Sequence, residues 1–77
     1  MRILDQLRAI KRLHYFISIK GTGNSFELSK KLKLSRATMF RYQKVLTSLG
    51  AEIEYCYAQE SYYYRKKFQL DLDSLIF

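Results

Sequence analysis

The chain has 77 residues, with fourteen Lys and Arg against seven Asp and Glu and a net charge of +7. That length supports one small domain, which buries only about 60% of its unfolded surface and leaves little room for a deep catalytic cleft. The longest apolar stretch, Leu13 to Ile19, is interrupted by His14 and Ser18, far short of the roughly 20 residues a membrane-spanning helix needs. Asp5 and Arg8 break the apolar run a signal peptide would keep. A lone cysteine, Cys56, excludes an internal disulfide and a cysteine-based zinc site. The expectation is a cytoplasmic protein, nucleoid-associated if it binds DNA, with no metal or cofactor and no membrane partner.

In chain order, Ile3, Leu7, Ile10, Leu13 or His14, and Ile17 recur at helical spacing, with Leu4 and Phe16 widening the stripe. This predicts an amphipathic helix over about residues 3–19. Lys20-Gly21-Thr22-Gly23-Asn24 stops it, the glycines and Asn24 supplying positive φ. Asn24 or Ser25 caps a short second helix through Leu32, with Phe26, Leu28 and Leu32 as its apolar side. Lys33-Leu34-Ser35 is a tight connection, and Ser35 is a good N-cap for a third helix over residues 36–49. Met39, Tyr42, Leu46 and Leu49 form the third helix's stripe, and Gly50 stands at its C′ position.

From Ala51 the period falls to two: Ile53, Tyr55 and Tyr57 alternate with Glu52, Glu54 and Cys56, the pattern of a half-buried strand. Ala58 to Ser61 is the expected turn, and Tyr62, Tyr64, Phe68 and Leu70 share a face of a second strand. Residues 71–77 form a tail ending on Leu75, Ile76 and Phe77, suited to packing on the first helix or to a homodimer contact. The fold class is mainly α with a β-hairpin: three helices followed by a two-stranded wing, with the domain over residues 1–70.

The charge is divided. Residues 1–50 carry eleven basic side chains against two acids, a net of +9, and residues 51–77 carry three against five, a net of −2. An electropositive end of this kind draws a polyanion. Catalysis finds no support: His14 is the only histidine, no acidic cluster suits a metal and no glycine-rich loop suits a phosphate. The pairs Glu52/Glu54 and Asp71/Asp73 are alternating surface acids.

Two helices joined by a three- to four-residue turn make a helix-turn-helix. Residues 25–50 resemble that unit in the DeoR-like and WYL-type bacterial transcription regulators, in a winged helix-turn-helix. Leu34-Ser35-Arg36-Ala37-Thr38-Met39-Phe40-Arg41 is similar to the family's Val-Ser-Arg-Arg-Thr-Ile-Tyr-Arg. Leu49-Gly50-Ala51-Glu52-Ile53-Glu54-Tyr55 is similar to its Leu-Gly-Ala-Pro-Ile-Glu-Tyr, and the likeness spans roughly residues 8–68. Two departures stand out. Tyr42 and Gln43 exchange the family's polar and apolar positions, and Glu60 stands at the wing tip where the family tends to carry Gly. An acid there repels phosphate and weakens the wing as a DNA contact.

The resemblance implies sequence-specific binding of double-stranded DNA by a small transcriptional regulator, or by the DNA-binding part of one, with residues 36–49 in the major groove. Arg36 and Arg41 suit bidentate contacts to guanine. Thr38 can bond phosphate or pack on a thymine methyl, beside Ala37. Ser35 can cap and also donate to phosphate. Phe40 lies off the apolar stripe and packs on thymine or bridges to the second helix. Lys30, Lys31, Lys33 and Lys44 act as point charges on phosphate or as solvated lysines. On the hairpin, Tyr63, Arg65 and Lys67, with Lys66, can grip the backbone, while the other strand tyrosines serve core and cross-strand packing. The competing reading is a winged-helix interaction module whose positive end meets an acidic protein.

Overall fold

A computed structural model describes residues 2–70, with side chains from residue 4 onward. Three helices, α1 (Arg2–Ser18), α2 (Ser25–Leu32) and α3 (Arg36–Ser48), precede an antiparallel hairpin of β1 (Ile53–Cys56) and β2 (Ser61–Tyr64). This is the winged helix-turn-helix layout expected from the sequence. The tail, residues 71–77, lies outside the described residues, and so do the expectations placed on it.

One core joins the three helices. Ile10, Leu13 and Ile17 of α1 meet Leu28 and Leu32 of α2, Met39 and Leu46 of α3, and Ala51. Their three- and four-residue spacing keeps each set on one face of its helix. Each large apolar side chain buried in this way contributes about 1.5–3 kcal/mol. The stripes are narrower than expected. Leu4, Phe26 and Leu49, read as core positions, are exposed, because each sits at the margin of its helix's apolar sector.

All three helices end in the same hydrogen-bond pattern, with one left-handed residue. After α1, Gly21 N–H donates to Phe16 C=O at 3.0 Å and Lys20 N–H to Ile17 C=O at 3.1 Å. After α2, Leu34 N–H donates to Ser29 C=O at 3.0 Å, and after α3, Ala51 N–H donates to Leu46 C=O at 3.1 Å. Each is a Schellman motif, which satisfies the last carbonyls of a helix. Gly50 takes the left-handed position after α3 as expected (φ 110°), but lysines take the other two, Lys20 (φ 56°) and Lys33 (φ 57°). The expectation that Gly21 and Asn24 would carry positive φ is corrected: only Gly21's neighbour Lys20 and, further on, Gly23 (φ 73°) do, and Asn24 is extended.

Gly23 is required by the cap at the start of α2. Asn24 Oδ1 accepts from Glu27 N–H at 2.9 Å, and Glu27 Oε1 accepts from Asn24 N–H at 3.0 Å. This reciprocal capping box begins the helix. A Cβ on residue 23 would lie 2.7 Å from Glu27 Oε1 and 2.9 Å from its Cβ, so no other residue fits without opening the cap.

The hairpin pairs Ile53 with Tyr64, Glu54 with Tyr63, Tyr55 with Tyr62 and Cys56 with Ser61. Tyr57 to Glu60 form the turn, with Glu60 left-handed at φ 50°. The turn therefore starts and ends one residue earlier than read from the sequence. The second strand is also shorter, stopping at Tyr64. Arg65 N–H makes a last bond to Glu52 C=O at 2.7 Å. Beyond that, the partner strand has bent away through Gly50 to close α3, so no ladder remains. Phe68 and Leu70 still pack against the core from outside the strand.

The hairpin is fastened to α1 and to the α1–α2 loop. Thr22 and Ser61, both buried, share hydroxyl oxygens at 3.1 Å; Thr22 N–H donates to Ser61 Oγ at 3.2 Å and Tyr62 N–H to Thr22 Oγ1 at 2.8 Å. At the other end of β2, His14 Nδ1 and Tyr64 Oη share a hydrogen bond of 2.8 Å, and Phe68 packs edge-on to the imidazole. His14 is half-buried, as its place in the α1 stripe implied.

Candidate nucleic-acid interface

Arg36, Phe40 and Lys44, and beside them Ala37 and Arg41, recur at the three- and four-residue steps that keep side chains on one side of a helix. All five are exposed, and Met39 and Leu46 on the opposite side are buried. Ser35 starts this helix: its Oγ accepts from Thr38 N–H at 3.1 Å and lies 3.0 Å from Thr38 Oγ1, its own proton pointing there. Both hydroxyls are thereby engaged with one another, and half-buried Thr38 stands at the edge of the exposed face. Gln43, half-buried beside half-buried Tyr42, donates to Met39 Sδ at 3.1 Å, so the exchange of polar and apolar positions is absorbed at the margin of the stripe. Phe40 is 38% exposed, its ring neither core nor fully solvated.

The α2 lysines divide by what holds them. Lys31 Nζ donates to Gly21 C=O at 2.7 Å and stands over the Phe16 ring, while Arg12 Nη2 donates to Lys31 C=O at 2.9 Å. These bonds tie α2 to α1, so Lys31 has a structural task the sequence did not reveal. Lys30 lies over the exposed Phe26 ring at 4.7 Å, a cation–π contact that still leaves the ammonium in water. Lys33 is exposed and occupies the turn between α2 and α3 in the left-handed conformation. Glycine is the usual residue in such turns.

The hairpin's candidates form a separate group. Tyr63 Oη donates to Glu54 Oε1 at 3.1 Å, Arg65 pairs with Glu54 at 3.6 Å, and Lys66 pairs with Glu52 at 3.7 Å. The Glu54 carboxylate beside it raises the Tyr63 phenol above its usual 10.0. Lys20 approaches the Tyr63 ring at 6.0 Å. Lys67 lines a hollow with Ile17, Ser18, Lys20, Tyr64 and Phe68. The hydrogen bond and ion pairs of this group run to Glu54 of β1 and to Glu52 just before it, and none of these reaches α3.

The structure also corrects the place of Tyr57, which is 85% exposed at the turn rather than packed. It joins Tyr55 and Tyr62, whose rings stand edge-to-face at 4.8 Å. Burial pushes the Tyr62 phenol above its usual 10.0, against opposing pulls from Ser25, Gln43 and Arg36. Tyr62 lines a hollow with Asn24 and Ser25, where the hairpin meets the start of α2. Among the described residues no group of three or more His, Cys, Asp or Glu could hold a metal ion, and no helix is long and apolar enough to cross a membrane. No family model, curated protein or solved structure matches this chain.

Proposed function

We propose that the chain binds double-stranded DNA through the exposed face of α3, as a small transcriptional regulator or the DNA-binding part of one. The observation that carries this reading is the state of the α3 cations. Arg36, Arg41 and Lys44 share one solvent-facing side of a helix held at both ends, and none pairs with an acid among the described residues. Phosphate contacts would position the unit, and the two arginines would read base edges. Lys30 and Lys33 supply further point charges beside them. The resemblance of residues 25–50 to DeoR-like and WYL-type regulators supports the same reading. A single unit of this size covers only roughly 600–1,000 Å² of contact on DNA, so strong specificity calls for two copies on two half-sites.

Anisotropy with a generic labelled duplex tests it. A protein making about six phosphate contacts loses on the order of a thousandfold in affinity between 50 and 200 mM salt. No binding at 50 mM salt would remove the proposal. Selection from a random duplex library then gives the preferred site, and a palindrome there reveals the dimer. The competing reading, an acidic protein partner, draws on exposed Phe26, Phe40 and Leu49, apolar groups that DNA phosphates do not need. A partner of that kind would bind with a shallow salt dependence and without duplex competition.

A further inference from the structure

An open hollow of ≈ 320 Å³ lies between the N-terminus of α2 and the hairpin, lined by Asn24, Ser25, Tyr55, Tyr57 and Tyr62. One wall is aromatic: Tyr55 stands edge-to-face with Tyr57 at 4.9 Å and with Tyr62 at 4.8 Å. Tyr55 and Tyr62 are a cross-strand pair and Tyr62 packs on the core, but folding does not explain Tyr57. Tyr57 sits in a solvated turn at 85% exposure, where an apolar ring contributes little to stability. The opposite wall is polar. Asn24 commits its Oδ1 to Glu27 N–H and keeps its amide N–H groups free to donate. The first-turn N–H groups of Ser25 and Phe26 have no intrahelical partner.

We infer that this hollow takes one unstacked nucleobase at the edge of the bound DNA, its face against the tyrosine wall and its edge toward Asn24 and Ser25. The inference rests on the duplex-DNA reading above. Aromatic faces accept any base, and amide and hydroxyl groups bond base edges once a base leaves the stack. Glu27 in the first turn of α2 and Glu60 in the turn that carries Tyr57 place acids beside the hollow's two walls, so the uncharged base enters and the sugar-phosphate chain stays outside. The acidic wing tip, unfavourable for a groove-inserted wing, is compatible with this placement.

The test compares three labelled DNAs at 50 mM salt: a blunt duplex, the same duplex with a three-thymine extension, and one with an abasic extension of equal length. Stacking of one base predicts a gain of roughly five- to a hundredfold from the thymines and far less from the abasic linker. Tyr57→Ala, at a position too exposed to endanger folding, removes that gain and leaves blunt-duplex affinity unchanged. Equal affinity for all three DNAs, an equal gain from the abasic linker, or a gain that survives Tyr57→Ala overturns the inference while leaving duplex binding intact. Binding to none of the three sinks the duplex reading and this inference with it.

Discussion

The helix-turn-helix and the hairpin carry the same kinds of basic residue in opposite circumstances. In α3 and its turn, Lys33, Arg36, Arg41 and Lys44 face solvent with no acid partner among the described residues. In the hairpin, Arg65 and Lys66 are matched to Glu54 and Glu52, and Tyr63 gives its proton to Glu54 in a hydrogen bond. These exposed pairs are worth little to stability, roughly 0–1 kcal/mol each, but they reduce the field the hairpin offers a polyanion. Counting charges along the chain divides the molecule at residue 50. The geometry goes further, separating cations available to a partner from cations already answered.

Charge removal in the two regions gives the largest expected contrast. Arg36→Ala with Arg41→Ala takes away two candidate base readers, each worth about 1–3 kcal/mol of discrimination. The double variant should lose at least tenfold in affinity for a selected site and most of its base preference. Arg65→Ala with Lys66→Ala should change affinity less than threefold, an effect of about 0.6 kcal/mol or under. Anisotropy on selected and scrambled duplexes checks both. Equal losses from the two double variants would erase the distinction between the regions.

A second contrast concerns stability. The hairpin is held by the buried hydroxyl pair that Ser61 makes with Thr22 in the loop before α2 and by His14 of α1. Ser61→Ala leaves Thr22 N–H without its acceptor in a dry site, a cost of about 1–3 kcal/mol. Urea unfolding should show that loss, and Thr22→Val should show a similar one, with the double variant costing less than the sum because the two hydroxyls serve each other. Strictly additive losses would mean that the pair does not act as a unit.

The helices were legible because their signals are local and mutually consistent. Ser35 as N-cap, Gly50 as C′ residue and the Met39–Leu46 spacing all point to the same α3. The face bearing Arg36 and Arg41 follows from that periodicity. The hairpin was legible in kind but not in extent. Alternation runs on through Phe68 and Leu70, whereas the ladder ends when its partner turns at Gly50, a fact about pairing that one strand's pattern does not contain. Of the strand tyrosines expected to pack, Tyr55, Tyr62 and Tyr64 do so, and Tyr57 departs for the same reason. Alternation places Tyr57 with Tyr55 on a packed face, but the ladder ends at Cys56 and Tyr57 falls in the turn. Lys31 and the Thr22–Ser61 pair depend on contacts across 10 and 39 positions, which no local pattern announces.

Lys33 stands at the boundary between the two demands, since it serves the fold badly and the proposed interface well. A residue with a Cβ pays roughly 1 kcal/mol to sit in the left-handed region, and glycine would sit there without strain. Lys33→Gly should therefore stabilise the protein by about 0.5–1 kcal/mol while weakening binding to every duplex alike. The salt slope should fall by about one unit. Urea midpoints and a salt titration check the two halves separately. Stabilisation with unchanged DNA affinity would remove Lys33 from the interface and leave its strain unexplained.

The smallest effect expected is a dependence of hairpin anchoring on pH. Burial against Tyr64 and Phe68 holds the His14 imidazole below its ordinary value of 6.5. Above 6.5 the ring is neutral in both folded and unfolded chains and contributes nothing to the difference. As pH falls through 6.5 the unfolded chain binds the proton first, so the native state loses stability until its own lower value is passed. The loss should concentrate where His14 holds β2, leaving α2 and α3 in place. His14→Gln keeps a hydrogen-bonding partner for Tyr64 but cannot titrate. The urea midpoint of the native chain should therefore drop further between pH 7.5 and pH 5 than that of the variant. An equal drop in both would free His14 of any part in the acid sensitivity.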